Sequence, residues 1–172
     1  MTLGLYGGSF NPPHIGHVEA ARSAIAALAL DRLIWMPSGD PPHKELPKGT
    51  PSVTHRLKMS ELAAAGLPNT IVSDYELAGG ARYTVDTVRH LLGLYRPKKI
   101  YLLMGRDMGD MFDRWYKADE LRALCEVYVF PRTPESSTDA RKLLAVGRGE
   151  DLLNPSVFAY IRKEGLYGAA YG

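Results

Sequence analysis

Gly7-Gly8-Ser9-Phe10-Asn11-Pro12-Pro13-His14-Ile15-Gly16-His17 is the stretch on which the reading of this chain turns. It follows the apolar run Leu3-Gly4-Leu5-Tyr6 and precedes an alanine-rich helical pattern, so a strand, a glycine turn and a helix start are packed together. Two glycines let the backbone approach a ligand closely and tolerate φ > 0. The helix start that follows offers unpaired N–H groups and the positive end of a dipole, a ready site for phosphate. His14 and His17 lie three apart and share one face of a helix that begins at His14. Two imidazoles aimed at a phosphate-binding turn imply chemistry on a phosphorylated nucleotide. An H-x-G-H alone reads as an ordinary helix start with surface histidines; the glycines, Phe10 and Pro12 ahead of it shift the balance to function.

Outward from this turn, strands and helices alternate. Residues 2–6 form a strand, and Val18, Ala21, Ile25 and Leu28 mark a helix from His14 to about Leu30. Leu33-Ile34-Trp35-Met36 is a second strand, stopped by Pro37, Gly39, Pro41 and Pro42, with a proline- and lysine-rich loop up to Pro51. Ser52 caps a helix over Val53 to Ala65 that Gly66 and Pro68 close. Thr70-Ile71-Val72-Ser73 is the third strand, and Thr84 caps a helix with the face Val85, Val88, Leu91 and Leu92. Ile100 to Met104 and Val127 to Phe130 are the fourth and fifth strands, with short helices from about Ser137 onward. Such βαβ units predict an α/β fold, a doubly wound, mainly parallel sheet with helices on both faces. We expect one domain over residues 1–172, with 137–172 a helical closing segment.

Bulk properties narrow the function classes. A chain of 172 residues with 45% apolar and 23% charged residues is ordinary for a globular protein. A net charge of +2 gives no case for a nucleic-acid partner. No apolar run spans a bilayer and no secretion signal is visible, and the single Cys125 rules out an internal disulfide framework. A cytoplasmic protein without membrane or nucleic-acid partners is expected; a homo-oligomer is compatible with the chain. No Cys/His spacing resembles a zinc site.

In doubly wound sheets ligands bind at the carboxyl ends of the strands, and the polar candidates gather there: Gly7, Lys44, Gly105 with Asp107, and Arg132. Lys44 ends the stiff run Pro41-Pro42-His43-Lys44, a mobile point charge for a phosphate or a solvated turn lysine. Gly105 lets a ligand approach the strand tip, where the Asp107 carboxylate holds ribose hydroxyls or caps a helix. Trp115, among charged neighbours, stacks on a heteroaromatic ring or covers the core. Ser136-Ser137-Thr138-Asp139-Ala140-Arg141 is a second phosphate cradle, with Ser and Thr ahead of a helical run from Arg141 to Val146 and Arg141 one turn further on the same face. A plain Ser/Thr cap with a surface arginine is the alternative. Two cradles in one small sheet protein favour the phosphate reading.

These motifs resemble those of the HxGH nucleotidyltransferases and, nearly end to end, those of the bacterial nicotinate-nucleotide adenylyltransferases. The resemblance rests on the first motif, Pro41-Pro42-His43-Lys44, Val53…Arg56, Tyr83-Thr84…Thr87, Gly105…Asp107, Trp115-Tyr116, Ser136-Ser137-Thr138…Arg141 and the ending through Gly165-Leu166-Tyr167. It implies a Rossmann-like nucleotidyltransferase fold and transfer of AMP from ATP to nicotinate mononucleotide, giving deamido-NAD and pyrophosphate. It further implies that Gly7, Gly8, Ser9 and Phe10 line the phosphate site, with His14 and His17 on the ATP phosphates. Ser137, Thr138 and Arg141 grip the triphosphate, Gly105 and Asp107 meet the adenosine, and Lys44 approaches the acceptor's phosphate. Thr84, Trp115 and Tyr116 frame the pyridine. Mg²⁺ is expected on the ATP phosphates. An acceptor such as nicotinamide mononucleotide or pantetheine phosphate, or a non-catalytic nucleotide sensor, are the alternatives. The chain departs from the pattern twice: Asn11 stands where Asp is commoner, and only Thr133-Pro134-Glu135 separates Arg132 from the serine pair, where a longer segment with another strand is expected.

Overall fold

Both faces of the sheet are covered, which is why its central strands read as near-continuous apolar runs rather than alternating ones. The computed structural model describes residues 1–41 and 45–169; Lys44, with Pro42 and His43, lies outside them. Five strands, β1 (Thr2–Gly8), β2 (Arg32–Pro37), β3 (Thr70–Val72), β4 (Lys99–Met104) and β5 (Glu126–Val129), pair in parallel in the order β3-β2-β1-β4-β5. Among the described residues seven α-helices join and flank them: α1 (Ile15–Ala27), α2 (Val53–Ala64), α3 (Thr84–Tyr95), α4 (Arg106–Asp110), α5 (Ala118–Leu124), α6 (Ser137–Leu144) and α7 (Pro155–Glu164).

The period of two along each strand sorts its residues between the faces. Leu3, Leu5, Ile34, Met36, Ile100, Leu102 and Met104 pack with Val85, Val88 and Leu91 of α3 and Leu121 of α5. Tyr6, Leu33, Trp35 and Leu103 point the other way, onto Ala21, Ala24 and Ile25 of α1 and Ala64 of α2. Gly4 leaves room for that second layer: a Cβ there would lie 2.7 Å from Leu30 Cδ1 and 3.0 Å from Leu33 Cδ1. A third cluster joins Met59 and Ala63 of α2 to Ala140 and Leu144 of α6 and Val157 and Ile161 of α7. Helix α7 starts on Asn154, whose side-chain oxygen accepts from Ser156 N–H, has Pro155 as its first residue, and ends at Gly165 with φ 67°.

The chain runs outward from β1 to β2 and β3, then returns to the other side of β1 for β4 and β5. The order reverses between β1 and β4, and a crevice opens at the carboxyl ends of those strands. Gly7 and Gly8 end β1 there, and Gly105 follows β4. Three local expectations change. His14 is not helical but caps α1, with φ −122° and ψ 175°. Tyr83, not Thr84, occupies the cap of α3, and Thr84 is its first residue. Helix α6 already begins at Ser137, with Ser136 as its cap accepting from Asp139 N–H, because an N-cap hydroxyl satisfies an otherwise orphaned donor. Among the described residues no helix is long and apolar enough to cross a membrane.

Candidate active site

The β1–α1 turn builds a reciprocal histidine cap. His14 N–H donates to His17 Nδ1 at 3.0 Å, and His17 N–H donates to His14 Nδ1 at 3.3 Å. The rings stack with centroids 3.6 Å apart. A neutral imidazole carries one proton, so an Nδ1 that accepts leaves the N–H on Nε2. Burial pushes His14 down to about 4 and His17 well below its ordinary value, the neighbouring ring adding to the effect at His17. At neutral pH both rings are therefore neutral Nε2–H donors. Phe10 supports them from below: its ring is 2% exposed, stacks on Trp35 at 4.5 Å and meets His17 edge-on at 5.0 Å. Gly8 makes room for that ring, which would lie 3.2–3.4 Å from a Cβ. Phe10 thus supports the β1–α1 turn from below while still contributing to the cavity wall.

Side chains from four distant segments hold this turn. Arg56 of α2, 2% exposed, donates through Nη1 to the carbonyls of Ser38 at 2.7 Å and Ser9 at 3.3 Å, tying the turns after β1 and β2 together. Arg141 of α6 donates through Nη1 to the Asn11 carbonyl at 2.7 Å and through Nη2 to Thr138 Oγ1 at 3.2 Å. Ser137 Oγ donates to the Pro12 carbonyl at 2.9 Å. The Asn11 side chain accepts from Tyr167 O–H at 2.6 Å and donates to Thr50 Oγ1 at 2.8 Å, and the Thr50 hydroxyl donates to the Pro47 carbonyl. This arrangement requires an amide: an aspartate can accept from Tyr167 but has no proton for Thr50. Arg56 was legible as a member of the α2 stripe with Met59, Ser60 and Ala63, all buried. The role of Tyr167 carried no signal in the sequence.

The short β5–α6 segment holds no strand; instead it folds onto α1. A Cβ at Gly16 would lie 2.7 Å from Thr133 Oγ1, 2.8 Å from Glu135 Oε2 and 2.9 Å from His14 Cε1. Glu135 thus brings a carboxylate to the imidazoles and the helix start, and its charge opposes the downward shift of His14. Gly16 is needed because any side chain would displace one of these three neighbours.

A cavity of about 1660 Å³ opens above the turn, lined by His14, His17, Ser137, Thr138 and Arg141 at one end and by Thr84, Trp115 and Tyr116 at the other. Single drug-sized pockets run to about 300–1,000 Å³, so there is room for two nucleotides together. Gly105 fronts the cavity with nothing within 4 Å of a Cβ position, so open space for a ligand begins at its backbone. Asp107 accepts from Arg132 Nη2 at 2.7 Å, with both side chains mostly exposed. Trp115 packs on the α3 side of the core beside Phe112, ring centroids 5.4 Å apart, while also reaching the cavity wall. Tyr116 is 51% exposed, its ring 4.3 Å from that of Tyr83. Glu76, which the sequence reading passed over, also lines the cavity and accepts from Thr87 O–H at 2.7 Å. Among the described residues no group of three or more His, Cys, Asp or Glu side chains is placed to hold a metal ion.

Known proteins with this sequence pattern and fold agree on a class. The Cytidylyltransferase-like family model matches residues 5–164. A Gloeobacter violaceus protein named "Probable nicotinate-nucleotide adenylyltransferase" is 34% identical over 202 aligned positions, covering 99% of this chain and 98% of that one. A Geobacillus thermodenitrificans protein of the same name is 35% identical, covering 97% and 86%. A crystal structure from Vibrio parahaemolyticus, named provisionally for the same activity, superposes with a TM-score of 0.77 at 27% identity over 98% of this chain and 96% of its own. The Plasmodium falciparum nicotinic acid mononucleotide adenylyltransferase in complex with NaAD shares the fold at a TM-score of 0.77 and 18% identity, each chain covered to 98%.

Proposed function

Since the chain belongs to the Cytidylyltransferase-like family and within it to the nicotinate-nucleotide adenylyltransferases, we propose that it joins the AMP moiety of ATP to nicotinate mononucleotide, releasing pyrophosphate. The observation that carries this reading is the meeting of Arg141 with the Asn11 carbonyl at 2.7 Å, beside the stacked imidazoles of His14 and His17. Cationic and neutral donors from opposite ends of the chain converge on one phosphate-sized turn.

In this reading a phosphate oxygen of the acceptor attacks the α-phosphorus of ATP in line. The bond from that phosphorus to the bridging oxygen breaks, and pyrophosphate leaves with the electron pair. The acceptor phosphate is already an anion at neutral pH, since its second pKa is about 6, so no strong general base is required. The protein's task is to hold two anions together and to stabilise charge building on the leaving oxygens. The neutral Nε2–H groups of His14 and His17 donate there without having to lose a bound proton. Thr138 and the free guanidinium donors of Arg141 hold the β- and γ-phosphates, and the α1 start adds its N–H groups. Gly7, Gly8 and Ser9 bring backbone to the phosphates, and Gly105 and Asp107 receive the adenosine, with Asp107 exchanging Arg132 for ribose hydroxyls. Thr84, Trp115 and Tyr116 frame the acceptor's ring, and Lys44 approaches its phosphate. Magnesium finds no cage of protein carboxylates among the described residues, so it would arrive on the ATP phosphates and water.

Pyrophosphate release measured with ATP and each of nicotinate mononucleotide, nicotinamide mononucleotide and pantetheine phosphate tests the assignment. The acid mononucleotide should give the highest kcat/KM. Preference for pantetheine phosphate would overturn it, and tight binding of both nucleotides without turnover would favour a nucleotide sensor, a reading to which the Glu135 carboxylate at the α1 start lends weight.

A further inference from the structure

Glu76 has no part in the mechanism above, yet its surroundings are those of a ligand-binding group. It sits between the turn after β2 and the first turns of α3. Its backbone carbonyl lies 2.9 Å from a Cβ position on Gly39, and its side chain reaches Thr87, which is fully buried and three residues after Thr84. Glu76 belongs to the cavity wall and is half-buried. Among the described residues it takes one hydrogen bond, from Thr87 to Oε1, and forms no ion pair. A half-buried carboxyl with one oxygen anchored and no ion pair among the described residues is costly to keep charged.

We propose that Glu76 is an acceptor-binding residue that receives the mononucleotide with its carboxyl protonated, donating from its free oxygen, so that acceptor binding is linked to one proton. The proposal rests on the adenylyltransferase reading, because it places the acceptor at the α3 end of the cavity. The physical case is a balance of charges. The acceptor is itself an anion, and a carboxylate facing it repels, whereas a neutral carboxyl supplies a hydrogen bond. Burial pushes Glu76 up to about 7, while the Thr87 bond pulls it back. The charged and titratable groups described on the surrounding elements are Asp40 and Glu45 after β2, Asp74, Tyr75, Arg82 and Tyr83 in the Glu76 loop, and Asp86, Arg89, His90 and Tyr95 on α3. His90 is occupied by stacking on Tyr75 at 3.8 Å, and Arg89 by Asp86 and Glu120. None of these groups is a source of the Glu76 shift, which comes from burial and Thr87 alone.

The test is the KM for nicotinate mononucleotide and for ATP, measured by pyrophosphate release from pH 6 to 8.5 in the wild type and in Glu76→Gln. Taking the wild-type to variant ratio cancels the titration of the acceptor's own phosphate. The ratio for the mononucleotide should climb toward about tenfold per pH unit above pH 7, with the ratio for ATP flat. A flat mononucleotide ratio, or ATP and mononucleotide ratios rising in parallel, overturns the proposal. Thr87→Val, which removes the donor stabilising the carboxylate, provides a second reading should Glu76→Gln misfold. It should move the onset of the wild-type rise to higher pH, and an unmoved onset counts against Glu76. Absence of product from nicotinate mononucleotide at every pH would defeat the adenylyltransferase reading itself and this proposal with it. Product formation with a flat ratio defeats only the latter.

Discussion

The two ends of the cavity carry their polarity in different ways. At the α1–α6 end the donors are permanent: helix-start N–H groups, the guanidinium of Arg141 and two imidazoles whose protons are held on Nε2 by the reciprocal cap. At the α3 end the described wall offers Trp115, Tyr116 and Thr84, with Glu76, whose carboxyl burial pushes up to about 7. Carboxyl groups also line the wall, among them Glu135 near the imidazoles and Glu76 beside α3. The contrast teaches that one fold can set donors by backbone geometry at one end of a cavity and by the burial of a titratable group at the other.

Substituting His17 with Ala should break the permanent end most severely. Loss of one well-placed donor costs about 3–4 kcal/mol, so kcat should fall a hundredfold or more. Thermal unfolding should reveal a loss of about 1 kcal/mol from the cap, with the fold retained. Undiminished turnover would take His17 out of the chemistry. Arg141→Ala should raise the KM for ATP by about ten- to a hundredfold, in line with about 1.5–3 kcal/mol for hydrogen bonds to a charged group. A similar rise for the acceptor would mean that Arg141 merely holds the turn. At the other end, Trp115→Ala should weaken acceptor binding about two- to tenfold through lost ring stacking, at about 0.5–1.5 kcal/mol. ATP affinity should hold, and equal loss of both would make Trp115 a core residue only.

Two smaller effects sharpen the contrast. Glu135→Gln removes a like charge from the triphosphate end and should tighten ATP binding up to about fivefold, the scale of an exposed charge interaction. Weaker ATP binding would assign Glu135 a supporting role instead. Acid should destabilise the folded protein through the imidazoles. Because both are depressed, the unfolded chain binds more protons below 6.5, so stability is full above that pH and falls as pH drops toward 4. Melting temperatures followed over this window should show the decline, and His17→Ala should flatten part of it.

Much of this architecture was legible in the residues. The strand runs around Leu5, Ile34 and Leu102 are apolar on both faces, which only a sheet covered twice makes favourable. The serine pair announced a helix start, and the glycines with H-x-G-H announced a strand–turn–helix junction. The error at His14 has a clear cause. Spacing assigned it to the helix, but the exchange of ring and backbone bonds with His17 satisfies more donors with His14 outside it. Thr84 lost its expected cap position to Tyr83, which carries no side-chain cap bond, because the helix takes in Thr84 as its first residue.

Local pattern by itself determined the order of strands and helices, the class of the sheet and the position of the β1–α1 turn, since periodicity and turn chemistry act between residues a few places apart. Tertiary structure alone decided that Arg56 ties two turns, that Asn11 must be an amide between Tyr167 and Thr50, that Glu135 covers Gly16 and that Glu76 faces the cavity. Those facts depend on groups far apart in the chain meeting where water is excluded, and there the charge and hydrogen-bonding needs of each side chain are set by its neighbours in space.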